Sequence, residues 1–238
     1  VEDRVNEAIV LAGGLGTRLR GVIGADLPKP LAPVAGRPFL EHVLDHLAQS
    51  GVTRVVLSIG YRGEAIRAHF GGAYRDLELR YAPEDEPLGT GGAIQHALAA
   101  TEAPTVFVVN GDSLLAADLA AAARRFAEVR ADVVMCLRAV PDTARYGAVR
   151  TAADGRVLGY AEKGAAGPGT INGGLYLVRR DLFAGAGLPR QFSFERDFLE
   201  RRCDDLRIYG LVTDGYFIDI GIPADYARAQ RELTRPRG

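Results

Sequence analysis

The sequence predicts an α/β fold, a doubly wound, mostly parallel sheet followed by a β-rich part. Three observations carry this. Up to residue 140, short strand patterns alternate with longer helical ones, the rhythm of a parallel sheet with helices on both faces. The strand patterns are β-branched and nearly unbroken in apolar character, as at residues 105–109, which is how strands buried on both sides look. After residue 140 the rhythm changes to hairpin signals and closely spaced strands. With 238 residues, 47% of them hydrophobic and 25% charged, the chain has ordinary globular composition and ample length for a core.

The elements follow in order. Residues 5–11 form a short apolar strand, and 13–20 a glycine-rich loop. Phe39, Leu40, Val43, Leu44 and Leu47 fall on one helical face. His42 and His46, four apart on that helix, have a spacing that can bind zinc, but they lie off the apolar face and are expected in solvent. Strands are predicted at 52–59, 77–81, 105–109 and 132–140, with helices at 63–70, 90–100 and 118–130 between them. Segments 148–150 and 156–161 flank Asp154-Gly155, a hairpin signal. A strand at 171–178 follows, then a helix over 193–203 capped by Ser193. Residues 206–220 are strand-rich, and 223–233 close as a helix.

Composition narrows the function. Net charge is −1 with no basic block, so the footprint of nonspecific nucleic-acid binding is missing. Residues 8–12 are apolar but too short to span a membrane, and no charged, apolar leader precedes them. Cys136 and Cys203 stand in neither C-x-x-C nor metal spacing and are expected as buried thiols. A cytoplasmic location is the expectation. Of 29 basic residues only Lys29 and Lys163 are lysines. Lysine offers a compact point charge where arginine offers a broad fork, so each lysine marks a position where that difference matters.

The strongest motif is Leu11-Ala12-Gly13-Gly14-Leu15-Gly16-Thr17-Arg18-Leu19, directly after the first strand. Glycines let backbone N–H groups approach phosphate oxygens closely, and Arg18 adds a fixed positive fork. It is not a dinucleotide fingerprint, because Leu19 stands where the third glycine belongs, nor a Walker loop, which needs Gly-Lys-Ser/Thr. Downstream, Pro28 and Pro30 fix the backbone around Lys29. An ammonium so held loses little entropy on binding.

Residues 11–19 followed by Pro28-Lys29-Pro30 resemble the paired motif of the sugar-phosphate nucleotidylyltransferases. Further motifs fit in the same order: Glu84-Asp85-Glu86-Pro87-Leu88-Gly89-Thr90-Gly91-Gly92-Ala93, Asn110-Gly111-Asp112, Tyr146-Gly147, Glu162-Lys163, Asn172-Gly173-Gly174 and Asp219-Ile220-Gly221-Ile222-Pro223. Both lysines land on motif positions. The resemblance implies a single domain with a Rossmann-like nucleotidyltransferase core, residues 1–140 holding nucleotide and 141–238 the sugar phosphate. It implies catalytic roles for Arg18, Lys29 and Lys163, and nucleotide contacts from Leu11, Ala12, Gly13, Gly14, Gly16, Thr17, Glu84, Gly89, Thr90 and Asp112. Gly147, Glu162 and Asn172 would contact the sugar. Asp112 and Asp219 would meet at Mg²⁺.

A carboxylate accepts both the ring N–H and the amino group of guanine but satisfies no carbonyl of uracil or thymine. Glu84 therefore favours GTP. Over the longer stretches 28–34, 38–41, 192–198 and 214–223, the sequence is most similar to heptose 1-phosphate guanylyltransferases, with mannose 1-phosphate guanylyltransferases the near neighbour. The expected partners are GTP and a sugar 1-phosphate, with neither nucleic acid nor membrane, and a homodimer is the expected assembly. No hexapeptide repeat follows the last helix, which argues against an acyltransferase β-helix.

Overall fold

Two-sided burial of the central strands organises the protein. The computed structural model describes residues 5–24, 26–160 and 166–234. Its strands are β1 (Glu7–Leu11), β2 (Pro33–Val34), β3 (Arg37–Pro38), β4 (Arg54–Ile59), β5 (Ala73–Tyr74), β6 (Leu77–Pro83), β7 (Thr105–Asn110), β8 (Ser113–Leu115), β9 (Val133–Val140), β10 (Val149–Thr151), β11 (Val157–Tyr160), β12 (Gly169–Arg179), β13 (Ile208–Thr213) and β14 (Phe217–Asp219). The helices are α1 (Arg20–Ile23), α2 (Phe39–Gln49), α3 (Gly63–Phe70), α4 (Gly89–Leu98), α5 (Leu119–Glu128) and α6 (Pro223–Glu232).

Eight strands form one sheet in the order β13-β9-β12-β7-β1-β4-β6-β5. β1 pairs in parallel with β4 and β7, β4 with β6, and β13 with β9; β12 and β5 run against their neighbours. In β1, Ala8 and Val10 enter one core and Ile9 the other; in β7, Phe107 and Val109 oppose Val106 and Val108. The first core is closed by α2, α3, α5 and α6, the second by α4 and a π-helical turn at Phe194–Leu199. This is the doubly wound α/β arrangement.

The strand order reverses around β1, whose two neighbours lie on opposite sides. Ligand crevices form beyond the carboxyl ends of such strands. β12 is antiparallel, so its first residues lie at the same end, and its register shifts between Asn172 and Leu175. The β-rich half is thus no separate layer, because β12 and β13 extend the main sheet.

Other expectations change in detail. The glycine loop ends in a 3₁₀ turn, Thr17–Leu19, and α1. The 193–203 segment is a π-helical turn followed by a 3₁₀ turn, Glu200–Arg202. Ser193 does cap it, accepting from the Arg196 N–H at 3.2 Å. Here Phe194 stacks on Phe198 with ring centres 6.0 Å apart, and Phe183 packs against both. His42 is buried rather than solvated. Arg37 donates to its Nδ1 at 3.0 Å, so its Nε2 carries the proton to the Val34 carbonyl, also at 3.0 Å. Cys136 and Cys203 are free and buried, and burial pushes the Cys136 thiol up to about 12. No helix among the described residues is long and apolar enough to cross a membrane.

Asp132 fastens β13 to this sheet. Its buried carboxylate accepts from the Arg207 N–H at 2.7 Å and lies 3.2 and 3.3 Å from the guanidinium groups of Arg179 and Arg207. Burial opposes its charge, but the Arg207 hydrogen bonds and both guanidinium groups outweigh burial and lower its pKa. A lowered carboxylate pKa stabilises the fold above the unfolded value, and that contribution is lost as pH falls through the folded one. Asp132→Ala should cost about 1–3 kcal/mol, read as a lower urea midpoint at neutral pH that converges with wild type in acid. Equal midpoints at neutral pH would remove this role.

Candidate active site

Beyond the carboxyl ends of β1, β4, β6 and β7 lies a cavity of about 720 Å³. Leu11, Ala12, Gly13, Gly14, Gly16, Thr17, Arg18, Lys29, Glu84, Gly89, Thr90 and Asp112 all line it. Its shape depends on glycines at two places. A Cβ on Gly13 would stand 2.6 Å from Glu84 Oε1, and one on Gly16 would stand 3.0 Å from the Lys29 Cβ. Gly16 also has φ +59°, a left-handed conformation that glycine adopts without penalty. Gly14 has open space above it. Buried Leu19 anchors the turn while Arg18 stays exposed.

Glu84 follows β6, and its carboxylate is held at both oxygens. Ser58 Oγ donates to Oε1 at 2.9 Å and the Leu88 N–H to Oε2 at 3.2 Å. Thr90 stands in the first turn of α4, but its hydroxyl is used within the wall. It accepts from the Phe194 N–H at 2.8 Å and donates to Glu195 at 3.0 Å.

Lys29 opens a 3₁₀ turn, Lys29–Leu31, between its two prolines and is 7% exposed. Its Nζ lies 2.7 Å from Asp112 Oδ2 and 3.9 Å from Asp219 Oδ1. Pairing of β8 with β14 aligns Ser113 with Asp219, and the Ile220 N–H bonds the Asp112 carbonyl at 3.0 Å. That short ladder joins two carboxylates far apart in sequence. Burial raises the pKa of Asp219, and the Asp112 charge raises it further; Lys29, the Gly221 N–H and Arg145 pull it down without cancelling the rise.

Arg145 carries no mark in the sequence, being one arginine among many beside Tyr146-Gly147. Its guanidinium lies 3.4 Å from Asp219 Oδ2, pairs with buried Asp225 and stacks 4.8 Å from the Tyr146 ring. It thus ties Asp219 to the first turn of α6.

A second cavity, of about 550 Å³, shares Asn110 and Asp112 with the first and includes Asp219, Gly147 and Asn172. Asn172 is fixed by the chemistry of its partners. Glu195 accepts from the Tyr176 hydroxyl at 2.7 Å, so the tyrosine oxygen accepts a hydrogen bond from the Asn172 amide N–H. The Asn172 carbonyl accepts from the Gly174 N–H at 2.9 Å. Tyr176, which helps to set this orientation, has no motif signature, whereas Glu195 lies within the 192–198 stretch of resemblance. Glu162 and Lys163 lie outside the described residues.

Among the described residues, no three His, Cys, Asp or Glu side chains gather as a metal cage. Asp112 and Asp219 form a pair. Mg²⁺ is typically taken by one or two carboxylates together with water and phosphate oxygens. The donor set fits an ion that arrives with a polyphosphate and does not fit a four-ligand zinc site.

Comparison with known proteins finds relatives along nearly the whole chain. The family model described as nucleotidyl transferase matches residues 7–235. A D-glycero-alpha-D-manno-heptose 1-phosphate guanylyltransferase from Aneurinibacillus thermoaerophilus is 44% identical, over 95% of this chain and 98% of its own. A mannose-1-phosphate guanylyltransferase from Mycobacterium tuberculosis is 38% identical, over 96% of this chain and 65% of its own. The crystal structure of HddC from Yersinia pseudotuberculosis complexed with GMP-PN superposes with a TM-score of 0.82 at 35% identity, covering 96% of this chain and all of that one.

Proposed function

Because the chain belongs to the nucleotidyl transferase family, we propose that it transfers GMP from GTP to D-glycero-D-manno-heptose 1-phosphate, releasing pyrophosphate and forming GDP-heptose. One observation carries the chemistry: the two cavities meet at Asp112, beside a buried lysine between two carboxylates. A sugar phosphate in the second cavity would face the α-phosphate of a nucleotide in the first. The 44% identity to a heptose 1-phosphate guanylyltransferase supports this substrate pair. The 38% identity to a mannose enzyme makes mannose 1-phosphate the second reading.

In the reaction, a phosphate oxygen of the sugar attacks the α-phosphorus, the bond to the β-phosphate oxygen breaks, and pyrophosphate leaves with that electron pair. Positioning and charge neutralisation dominate such transfers. Backbone N–H groups of residues 13–17 and the Arg18 guanidinium would hold the triphosphate and departing pyrophosphate. Lys29 would stabilise charge on the α-phosphate, and Lys163 would grip the sugar phosphate. Glu84 would accept from guanine, with Gly89 and Thr90 backbone groups beside it. Gly147, Glu162 and Asn172 would contact sugar hydroxyls. Asp112 and Asp219 would hold Mg²⁺, which when bound neutralises phosphate charge. A cytoplasmic setting suits an enzyme that consumes GTP.

Pyrophosphate release with Mg²⁺ tests this, crossing GTP, ATP, CTP and UTP with heptose, mannose and glucose 1-phosphates. Release confined to GTP and the heptose phosphate is expected; release with no pair would overturn the enzyme reading. Asp219→Asn should shift the Mg²⁺ titration to higher concentration. An unchanged titration would take Asp219 out of the metal site.

A further inference from the structure

Arg145 does more than anchor α6. Its guanidinium meets Asp219 Oδ2 at 3.4 Å, while the Gly221 N–H donates to Asp219 Oδ1 at 2.6 Å. Each carboxylate oxygen is thus held by one donor and keeps a lone pair for a further ligand. The guanidinium has little freedom to swing away. Its other arm grips Asp225, its central carbon lies 4.8 Å from the centre of the Tyr146 ring, and that ring packs edge-on against Phe217 at 5.9 Å. Phe217 opens β14, the strand that Asp219 ends.

Charge at the site is balanced before any substrate arrives. Lys29 lies 2.7 Å from Asp112 and 3.9 Å from Asp219 Oδ1, and Arg145 holds the second oxygen of Asp219. Two carboxylates therefore face two cations. Arg145 is itself shared, because Asp225 takes part of its charge and has Arg228 3.7 Å from its Oδ1 as well. Two bare carboxylates would draw a divalent ion on their own, whereas a neutral cluster has little pull on one. A nucleoside triphosphate brings several negative charges and the phosphate oxygens that a Mg²⁺ shell commonly includes.

We propose that Arg145 is a built-in counter-cation for Asp219, a positioning residue that fixes this carboxylate and keeps the ligand-free site near neutrality, so that Mg²⁺ enters with the nucleoside triphosphate and not before it. Asp225 sets how strongly Arg145 acts, because a guanidinium shared between two carboxylates neutralises each only in part. The assignment rests on the reading above that Asp112 and Asp219 hold Mg²⁺.

Mn²⁺ serves as the probe in place of Mg²⁺. Its dissociation constant for the ligand-free enzyme is read from the EPR signal of the free ion, without GTP. Wild type should bind it weakly. Arg145→Gln removes the charge and should bind it at least about tenfold more tightly, while kcat at saturating Mg²⁺ falls because Asp219 Oδ2 is no longer held. Asp225→Asn leaves the whole guanidinium to Asp219 and should bind Mn²⁺ more weakly than wild type. Loosened structure at this corner would weaken binding in both variants, so opposite signs are the signature of charge. Arg228 still partners Asp225 in the first variant, and the second keeps the shape of its side chain; circular dichroism checks that both fold. Adding Asp219→Asn to Arg145→Gln should erase the gain. Weaker or unchanged binding in Arg145→Gln, a gain that survives Asp219→Asn, or a kcat equal to wild type would overturn the assignment. An unchanged Mg²⁺ titration of turnover in Asp219→Asn alone would overturn the metal reading itself, and this assignment with it.

Discussion

Lys29→Ala should lower turnover by roughly 10²- to 10³-fold, the scale expected for losing one preorganised electrostatic donor. The ammonium sits between Asp112 and Asp219 at 2.7 and 3.9 Å, on a turn stiffened by Pro28 and Pro30. It is fixed before substrate arrives, so no reorganisation is needed as charge develops on the attacked phosphate. The loss should fall on kcat and not on the Mg²⁺ titration. Without Lys29 the two carboxylates lose a competing cation, and Mg²⁺ should bind at least as well. Lys29→Arg should not restore the rate. A Cβ on Gly16 would already stand 3.0 Å from the Lys29 Cβ, and one on Gly221 3.4 Å from Nζ, so a planar fork has little room. Steady-state kinetics on folded variants decide this, and a kcat near wild type for the alanine variant would remove Lys29 from the chemistry.

The contrast between Lys29 and Arg145 shows what sequence could and could not reveal. Lys29 stood out as one of two lysines, between prolines, after a glycine loop. Arg145 reaches Asp219 as closely as 3.4 Å and also grips Asp225, yet it is one of many arginines and its Asp225 partner lies 80 positions away. The fold divides the same way. β1 and β7 were legible because burial on both faces makes an apolar run, and α3 because its periodicity and bounds are local. The antiparallel placement of β12 between β7 and β9 was not legible, since strand direction is decided by distant pairing partners. Nor was the pairing of β8 with β14, each only three residues long. That pairing brings Asp219 to Asp112, so the most consequential contact in the site rests on one of the weakest local signals. His42 failed differently: helical periodicity measured its face of α2 correctly as less apolar, but the β2–β3 hairpin folds over it and supplies polar partners.

Glu84→Gln should lower kcat/KM with GTP by on the order of 10²-fold or more, the expected loss when two hydrogen bonds to a charged acceptor are weakened. Preference over UTP and CTP should narrow by a similar factor. Ser58 and the Leu88 N–H each occupy one carboxylate oxygen of Glu84, which fixes its plane and leaves further lone pairs on both. Guanine presents its ring N–H and amino group side by side, and a carboxylate accepts from both. The glutamine amide keeps one acceptor and turns a donor toward donors, whichever way it is oriented. Gly13→Ala offers a second route to the same end with the carboxylate retained. Its Cβ would come within 2.6 Å of Glu84 Oε1 and must displace that oxygen, so base preference should fall in this variant as well. If GTP preference survives in both, the base is read by groups other than Glu84. If it survives only in Gly13→Ala, the carboxylate reads the base from a position that the loop does not fix.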